Sequence, residues 1–262
     1  MSTAALFLHA YDQQLRTDAE TPSAIAVEHL GPLRLVTFAG GRGFVTYRDL
    51  AGADEPRVRD LVTSALDHYR EDPSVTRIEW KTRGHDHAPG LHDALVEAGF
   101  ASQGTESIMV GPLQALAADT PLPPGVTLRT LHEENEVRAM SAMADIGFGE
   151  DPDPARADAL LARLARADGM ELWVAELEGR KVSAGRLEPV PGTEFAGIWG
   201  GVTLPEHRGR GIYRALTAAR ARSALAAGKT LVHSDSTEYS RPILERQGLV
   251  KVSTTTPYEW RR

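Results

Sequence analysis

The sequence of 262 residues contains no cysteine, which excludes disulfide bonds, thiolate metal sites and a cysteine nucleophile. It has no excess of positive charge: the formal net charge is −7 at pH 7, which argues against a general nucleic-acid-binding protein. No apolar run reaches the length of about 18 residues that a membrane helix needs. The first residues form a short apolar patch without the basic segment of a secretory signal. We therefore expect a cytoplasmic protein that binds neither nucleic acid nor a membrane.

The composition is that of a globular protein, and a proline-containing stretch divides the chain. Hydrophobic residues make up 42% of the sequence and charged residues 25%, as in ordinary soluble domains. Residues 115–125 include Asp119 and three prolines and carry little hydrophobic periodicity. Such a stretch is typical of a semi-rigid linker. We expect one domain at residues 1–114, this linker, and a second domain at residues 126–262.

Strand and helix patterns alternate along the second half. Asp153 before Pro154 is a helix start, because the carboxylate can cap the helix and proline suits its first position. Glu178-Gly179-Arg180-Lys181, between two apolar runs, predicts a hairpin. The predicted strands cover residues 126–129, 172–177, 182–187, 198–204, 230–233 and 250–260, and the predicted helices cover residues 135–147, 154–167, 215–227 and 240–247.

The first half repeats part of this pattern. A shift of roughly 150 residues lays Ala98-Gly99-Phe100 on Gln247-Gly248-Leu249, so the chain is interpreted as a duplication. The two halves differ in one loop. Where the second half has a basic glycine turn, the first half has residues 51–55, which end in Asp54 and Glu55. Two carboxylates repel a phosphate, and we expect one anion site, in the second half.

That basic turn is Arg208-Gly209-Arg210-Gly211-Ile212-Tyr213, between an apolar strand pattern and an Ala-rich helical pattern. Glycines allow the backbone to approach a ligand, and the first N–H groups of a helix have no partners within it. The helix dipole adds partial positive charge at the same place. A strand, a glycine turn and a helix start in this order predict a site for a phosphate group.

Residues 126–262 resemble the GNAT superfamily of acyl-CoA-dependent N-acyltransferases. The resemblance is carried by Val202 to Ile212, which match the strand-and-turn signature of the family, and by the downstream block from Ser236 to Leu249. It implies an α+β fold, with a mixed, mainly antiparallel, twisted sheet flanked by helices. With the repeat, the whole chain resembles a tandem GNAT protein whose first copy is degenerate.

The resemblance also implies which residues bind acetyl-CoA. The backbones of Val202 and Leu204 would pair with the pantetheine arm, as an added strand does at a sheet edge. Thr237 stands where the family often has an asparagine near this arm, and Ser240 starts the next short helix. The pyrophosphate would be held by the amides of Arg208, Gly209, Arg210, Gly211, Ile212 and Tyr213.

Two positions depart from the family pattern. Tyr213 replaces the last small residue of the turn signature. Leu244 stands where many relatives have the tyrosine that protonates the thiolate of coenzyme A. That role must pass to Tyr239, to Tyr258 or to a water molecule, or nothing fills it.

Acyl transfer to an amine needs a base, because a protonated amine cannot attack a thioester. Asp235 and Glu238 are the base candidates nearest the motif, Glu194 and His233 are further ones, and Tyr239 is the acid candidate. The oxyanion needs a donor such as a strand N–H. The absence of cysteine and the resemblance to the family together imply direct transfer in a ternary complex.

These features predict an acetyl-CoA-dependent N-acetyltransferase that acts on a primary amine of a small molecule. The acidic loop with Glu150, Asp151 and Asp153 favours a cationic acceptor. We expect no metal, because the histidines at positions 85, 87 and 92 fit no common zinc spacing. A non-catalytic CoA-binding sensor or scaffold is one alternative, which Leu244 favours. An amide-forming acyltransferase similar to mycothiol synthase is another.

Overall fold

The structure is a computed structural model that describes residues 2–118 and 120–262. Asp119, within the expected linker, lies outside the described residues. The chain divides into two compact units. The first consists of Met1–Met109, Asp235–Pro242 and Lys251–Arg262, and the second of Val110–Ser234 and Ile243–Val250.

Helices and strands alternate along the whole chain. The elements up to the first boundary are α1 (Thr3–Gln14), β1 (Ala26–Leu30), β2 (Leu33–Phe38), β3 (Arg42–Tyr47), α2 (Glu55–Glu71), β4 (Arg77–Arg83), α3 (Leu91–Glu97), β5 (Ala101–Ser102) and β6 (Glu106–Pro112). The remaining elements are α4 (Leu113–Leu116), β7 (Val126–Leu131), α5 (Glu134–Phe148), α6 (Pro154–Leu164), β8 (Glu171–Leu177), β9 (Arg180–Pro189), β10 (Phe195–Thr203), α7 (Ile212–Ala226), β11 (Leu231–Ser236), α8 (Arg241–Arg246) and β12 (Val250–Arg261).

The core of the first unit is built around α2. Apolar side chains recur at helical spacing along this helix and face Ile78 and Trp80 of β4, both at most 1% exposed. The buried positions of α2 are Val58, Leu61, Val62, Ala65, Leu66 and Tyr69. Strands β1, β2 and β3 form antiparallel pairs, and β3 then runs parallel to β4. The helix between two parallel strands covers the sheet they share.

The second unit has a helical layer on each face of its sheet. Strands β7, β8, β9 and β10 pair antiparallel in this order, and β10 runs parallel to β11. On one face, Val137 and Met140 of α5 pack with Val174 and Val202. On the other face, Ile212 at the start of α7 packs with residues of β8 and β9. Successive strand residues point to opposite faces, which places the two sets on opposite sides.

The two units share one order of elements: three antiparallel strands, a helix, a parallel strand and a short helix. The predicted fold class, a mixed and mainly antiparallel sheet flanked by helices, is confirmed. The last strand does not belong to the expected second domain, residues 126–262. Residues 251–262 belong to the first unit because β12 pairs antiparallel with β4, from Thr255 opposite Arg83 to Arg261 opposite Arg77. A strand pattern in the sequence does not show which other strand it will pair with.

Within residues 2–118 and 120–262, no helix has both the length and the apolar character needed to cross a bilayer. The same ranges contain no group of three or more His, Asp or Glu side chains that could hold a metal ion.

Candidate functional site

The glycine turn of the second unit connects β10 with α7. Gly209 has φ +75° and Gly211 has φ +83°, a left-handed conformation that side chains with a Cβ rarely adopt. A Cβ added at either position would meet nothing within 4 Å. These glycines are therefore required by the backbone conformation, and the space beside the turn is open.

The first amides of α7 have no partners. Gly211 is the N-cap residue and makes no side-chain capping bond, and the first helical bond runs from the Ala215 N–H to the Gly211 carbonyl, at 3.0 Å. Within the part of the chain that the structure describes, no acceptor binds the N–H groups of Ile212, Tyr213 and Arg214. Such amides, with the dipole of a helix of 15 residues behind them, suit a phosphate group.

Arg208 has a different role from the one its position in the motif implies. Its N–H donates to the Pro205 carbonyl at 3.2 Å, so the free amides begin after it. Its guanidinium donates from Nε to the Thr203 carbonyl, at 2.9 Å, and from Nη2 to the Gly147 carbonyl, at 2.8 Å. Arg208 thus joins the end of β10 to the last turn of α5. Arg210 is exposed, as Arg208 is, and its Nη1 lies 3.2 Å from Nδ1 of His207.

The corresponding helix start in the first unit is closed by its own carboxylate. Asp54 precedes α2, and its side chain accepts a hydrogen bond from the Arg57 N–H at 3.1 Å. Glu55 forms an ion pair with Arg59, at 3.0 Å. An anion at this helix start would have to displace Asp54 and meet a second negative charge. The two turns differ in this respect, and the single anion site stays a prediction.

The backbone groups expected to pair with pantetheine already have partners. The Leu204 N–H donates to the Val182 carbonyl at 2.9 Å, and the Leu204 carbonyl accepts from the His207 N–H at 2.9 Å. The Val202 carbonyl accepts from the Ser183 hydroxyl at 2.6 Å. Because a carbonyl has two lone pairs, these oxygens can accept a second hydrogen bond. The Leu204 N–H has only one hydrogen to donate, and the Val182 carbonyl already accepts it. The pantetheine role of both residues stays a prediction.

Tyr213, a departure from the family pattern, packs against the strand below it. A Cβ added to Gly201 would lie 2.7 Å from Cε2 of the Tyr213 ring, so the ring rests on a bare stretch of β10. Arg220, two turns further along the same face of α7, lies beside Tyr213. This guanidinium sits above Gly185, where an added Cβ would come within 2.5 Å of Nη1. Two glycines on adjacent strands therefore make room for two large side chains.

Arg220 is a buried cation that the sequence did not reveal. It is 1% exposed and donates to the Arg186 carbonyl, at 3.0 Å, and to the Thr217 hydroxyl, at 3.1 Å. No carboxylate pairs with it among the residues that the structure describes. Burial lowers the pKa of Arg220 from its ordinary value. An arginine in an Ala-rich helix gives no sequence signal of burial, because exposed helix faces carry the same residue types.

Strands β10 and β11 separate within the second unit. Their parallel pairing covers three residue pairs and ends where Gly197 lies opposite His233, although β10 continues to Thr203. In the same region the pairing of β10 with β9 is shifted between Trp199 and Val202, which marks a β-bulge. Bulges often redirect side chains next to active sites.

Trp199 and His233 lie together at this point. Their ring centroids are 5.0 Å apart with an angle of 84° between the planes. A Cβ added to Gly197 would fall 2.3 Å from Nε1 of Trp199, so the indole lies across this glycine. The Phe195 ring contacts the same imidazole, with 5.8 Å between the ring centroids and 84° between the ring planes. The half-buried His233 is therefore fixed between two aromatic rings.

The other predicted site residues belong to the first unit. Asp235 forms an ion pair of 2.6 Å with Lys81. Burial opposes the charge on Lys81, but the attraction of Asp235 outweighs it and raises the pKa of Lys81. Glu238 is exposed and Tyr239 is 81% exposed.

The two hydroxyl residues of the predicted set are close to each other. Thr237 Oγ1 and Ser240 Oγ are 3.4 Å apart, at the turn before α8. Leu244, in the position where relatives have a tyrosine, is 1% exposed. Its side chain is part of the core and offers no proton. The roles of Asp235, Thr237, Glu238, Tyr239 and Ser240 stay predictions.

The acidic loop after α5 is largely neutralised. Arg156 forms ion pairs with Glu150 and with the buried Asp145, the latter at 2.7 Å. Asp153 caps α6 by accepting from the Ala155 N–H at 3.0 Å. These contacts account for most of the charge that suggested a cationic acceptor.

Part of the chain matches a family of known proteins, and the whole chain is similar to solved structures. Residues 136–249 match the model of the acetyltransferase (GNAT) family. No curated protein matches the chain at a significant level. Among solved structures, a GCN5-related N-acetyltransferase from Kribbella flavida is similar, with 19% identity over 99% of this chain and 96% of that chain, and a TM-score of 0.69.

Two more solved structures have the same fold. A GCN5-related N-acetyltransferase from Sphaerobacter thermophilus is 16% identical, covers 98% of this chain and 91% of its own, and has a TM-score of 0.58. A tandem GNAT protein from the clavulanic acid biosynthesis pathway is 16% identical, covers 87% of this chain and 78% of its own, and has a TM-score of 0.60. Residues 136–249 therefore match the GNAT acetyltransferase family model, and the fold along the whole chain is similar to that of these solved structures.

Proposed function

We propose that this protein is an acetyl-CoA-dependent N-acetyltransferase that acetylates a primary amine of a small molecule. The main support is the glycine turn at Gly209 and Gly211, whose open space faces helix amides without partners. Membership of residues 136–249 in an acetyltransferase family supports acyl transfer as the reaction. The proposal adds the acetyl donor, the amine acceptor and the arrangement of the site.

In this proposal the second unit binds the donor. The N–H groups of residues 209–214 hold the pyrophosphate, and the exposed Arg210 adds a positive charge nearby. Arg208 holds the turn in place through the Thr203 and Gly147 carbonyls. The carbonyls of Val202 and Leu204 accept from the amides of the pantetheine arm. When bound, acetyl-CoA supplies a thioester carbonyl that is open to attack.

The acceptor must lose a proton before it attacks. Asp235 and Glu238 are the proposed bases and Tyr239 the proposed acid, as the motif spacing suggests. We propose a cationic amine because the loop after α5 retains Asp151, which is exposed, in addition to the neutralised acids. Transfer is direct, since the chain has no cysteine to form a thioester intermediate.

The turn can be tested with a matched pair of variants. Gly209→Asp places a carboxylate in the open space of the turn, and Gly209→Asn places an amide of the same shape there. Both residue types tolerate a positive φ better than other side chains. We expect Asp to weaken acetyl-CoA binding by about tenfold or more relative to Asn, which corresponds to ~1.4 kcal/mol. Isothermal titration calorimetry measures the acetyl-CoA affinity of both variants.

The control is Gly52→Asp in the first unit, where φ is +73° and the space is equally open. It should leave acetyl-CoA binding unchanged. The proposal fails if the wild-type protein does not bind acetyl-CoA. It also fails if the Asp and Asn variants at position 209 bind equally well.

A non-catalytic CoA-binding protein is the second candidate. Two observations favour it. Leu244 is buried at the position where relatives have the acid, and it carries no proton to donate. Asp235, an expected base, forms an ion pair with Lys81. Release of free thiol from acetyl-CoA in the presence of a panel of primary amines separates the two. Release that depends on an amine supports the enzyme, and binding without any release supports the sensor.

A further inference from the structure

A serine, a histidine and an aspartate of the first unit form a hydrogen-bonded row that the proposed function does not use. Nδ1 of His85 lies 2.7 Å from Oγ of Ser253, and Nε2 of the same ring lies 3.2 Å from Oδ1 of Asp12. Asp12 belongs to α1, His85 to the loop after β4, and Ser253 to β12. The imidazole therefore has a hydroxyl on one side and a carboxylate on the other.

Gly84 allows the loop to approach β12 at this point. A Cβ added to Gly84 would lie 2.2 Å from Oγ1 of Thr254, so a side chain here would push the loop away from the strand. The Gly84 N–H donates to the Thr254 carbonyl at 2.9 Å. His85 and Ser253, the next residue along the loop and the preceding one on the strand, are brought together by this main-chain contact.

A buried arginine fixes the other side of the row. Arg16 is 5% exposed and binds both carboxylate oxygens of Asp86, at 2.6 and 2.8 Å, and the Tyr47 carbonyl, at 2.9 Å. Asp86 follows His85 in the chain, and Asp12 lies four residues before Arg16. Arg16 thus holds the loop of the histidine against the segment that carries the aspartate.

The donors and acceptors around the ring define its hydrogen positions. A carboxylate only accepts hydrogen bonds, so we assign the ring hydrogen to Nε2, which faces Asp12, and Nδ1 accepts from the Ser253 hydroxyl. Nη1 of Arg16, 3.1 Å from Nε2, has acceptors for its two hydrogens in Asp86, at 2.6 Å, and Asp12, at 3.4 Å. Burial opposes the charge on Asp12, but the hydrogen bond and attraction of His85 and the attraction of Arg16 outweigh it and lower the pKa of Asp12.

The charges around the ring favour its positive form. Asp12 and Asp86 carry two negative charges within 3.7 Å of Nε2, and Arg16 carries one positive charge. One negative charge is left to balance an imidazolium, and it disfavours an anionic substrate. The side chains of His85 and Asp12 are 21% and 27% exposed, and Ser253 is half-buried, so the row is open to solvent.

We propose that the first unit carries a second catalytic site, an esterase for uncharged esters in which Ser253 is the nucleophile and His85 the base. Asp12 is the positioning residue that holds the ring. This site requires neither acetyl-CoA nor the glycine turn, so its tests do not depend on the proposed function. Among the described residues, no acceptor binds the N–H groups of His85 and His87, which leaves donors in the same loop for the oxyanion.

The reaction has two steps. The Ser253 oxygen attacks the carbonyl carbon of the ester while its proton passes to Nδ1 of His85. When the C–O bond breaks, its electron pair goes to the alcohol oxygen, which takes the proton from the ring. Water then attacks the acyl-serine and gives a proton to His85, and this proton returns to the Ser253 oxygen as it leaves. The products are an alcohol and a carboxylic acid.

The first test uses a fluorophosphonate probe, which forms a covalent bond with an activated serine. Mass spectrometry of the digested protein identifies the labelled residue. We expect the wild-type protein to be labelled at Ser253 and His85→Gln to lose this label. The controls Ser74→Ala and His29→Gln change an exposed serine and an exposed histidine of the same unit and should be labelled as the wild type is. The absence of a label on Ser253, or an equal label in His85→Gln, overturns the proposal.

The second test measures hydrolysis of p-nitrophenyl acetate. Ser253→Ala and His85→Gln should each lower kcat about 100-fold, within the range of general acid–base groups. Asp12→Asn should also lower kcat and leave the KM for the ester unchanged, because an amide at this place favours the wrong ring tautomer. Equal rates in the wild type and in Ser253→Ala would contradict the proposal.

The absence of cysteine permits a third test that needs no substrate. Ser253→Cys introduces the only thiol of the protein, and an imidazole beside a thiol lowers its pKa. We expect iodoacetamide to alkylate this variant at pH 6 at least tenfold faster than Ser74→Cys, whose exposed thiol should react as an ordinary thiol with a pKa of about 8.5. His85→Gln in the Ser253→Cys background should restore the ordinary pH dependence. The same pH dependence at positions 253 and 74 would show that the row does not activate the serine.

Discussion

The ring of Tyr213 rests on the backbone of Gly201, at a distance that leaves no room for a side chain on the strand. A Cβ at Gly201 would lie 2.7 Å from Cε2 and 3.1 Å from the Tyr213 hydroxyl oxygen. Tyr213 is the second residue of α7, so this contact holds the first turn of the helix against β10. The larger residue at the end of the turn signature is thus matched by a smaller one on the strand.

Gly201→Ala should therefore destabilise the second unit by about 1–3 kcal/mol, the usual cost of overpacking. Replacement of the ring relieves the collision, so Gly201→Ala should cost much less in a Tyr213→Ala background. Urea unfolding of the two single variants and the double variant gives the coupling energy. Additive effects would mean that the two side chains do not compete for this space.

Arg208 is expected to act on stability as well as on binding. Arg208→Ala removes two hydrogen bonds from a charged donor to the Thr203 and Gly147 carbonyls. We expect a loss of about 1.5–3 kcal/mol in the free energy of unfolding, the range for one hydrogen bond to a charged group. Arg210→Ala, in the exposed neighbour, should leave stability within about 0.5 kcal/mol of the wild type. Equal stability of both variants would contradict the structural role of Arg208.

The capping carboxylate of the first unit offers a test of the difference between the two turns. Asp54→Ala should destabilise the protein by about 1 kcal/mol, because the Arg57 N–H loses its acceptor. Asp54→Asn keeps an acceptor at the same place and should be nearly neutral. Chemical unfolding measures the free energy of unfolding of both variants. As a control, acetyl-CoA titration measures whether their affinity for acetyl-CoA is unchanged. A change in acetyl-CoA affinity in Asp54→Ala would show that the first unit also takes part in binding.

Glu20 and Arg83 should make the first unit sensitive to acid. Burial disfavours the charge on Glu20, but the attraction of Arg83 outweighs it and lowers the pKa of Glu20 below its ordinary value of 4.5. A lowered pKa in the folded state means that the stabilisation is complete above about pH 4.5 and is lost as the pH falls through the lower folded value. The free energy of unfolding should decline in this window.

Glu20→Gln should cost about 3–5 kcal/mol at pH 7, because Arg83 would stay buried without its counter-charge. Its stability should also depend less on pH below 4.5 than that of the wild type. Glu28→Gln, on the exposed strand β1, is the control and should change little. A pH dependence that is the same in Glu20→Gln and in the wild type would contradict the assignment.

Local pattern was enough to predict many elements. The helical spacing from Val58 to Tyr69 and the start of α6 at Pro154 both follow from rules that act within a few residues. The glycine turn was predictable for the same reason, because a positive φ at Gly209 and Gly211 is a property of the local backbone.

Features that depend on distant partners were not predictable. The sequence suggested that the Arg208 amide binds a phosphate, whereas this N–H donates to the Pro205 carbonyl and the guanidinium binds the Thr203 and Gly147 carbonyls. Asp235 looked like a base near the motif, and its pairing with Lys81 depends on how β4 meets a far part of the chain. Arg220 and Gly185 belong to the same class, since neither residue type signals burial of a cation.

The pairing of β12 with β4 has a consequence for biosynthesis. Trp260 lies opposite Ile78, so the first unit cannot complete its sheet until residues 255–261 have left the ribosome. During translation the nascent β4 would have an edge of unpaired N–H and C=O groups. Chaperones bind such exposed edges, and other chains can pair with them. Contacts between such remote segments also slow folding, because a long loop must close before they form. Shortening the gene by the codons for these last residues should therefore lower the yield of dispersed protein, although it would leave every codon for the glycine turn intact.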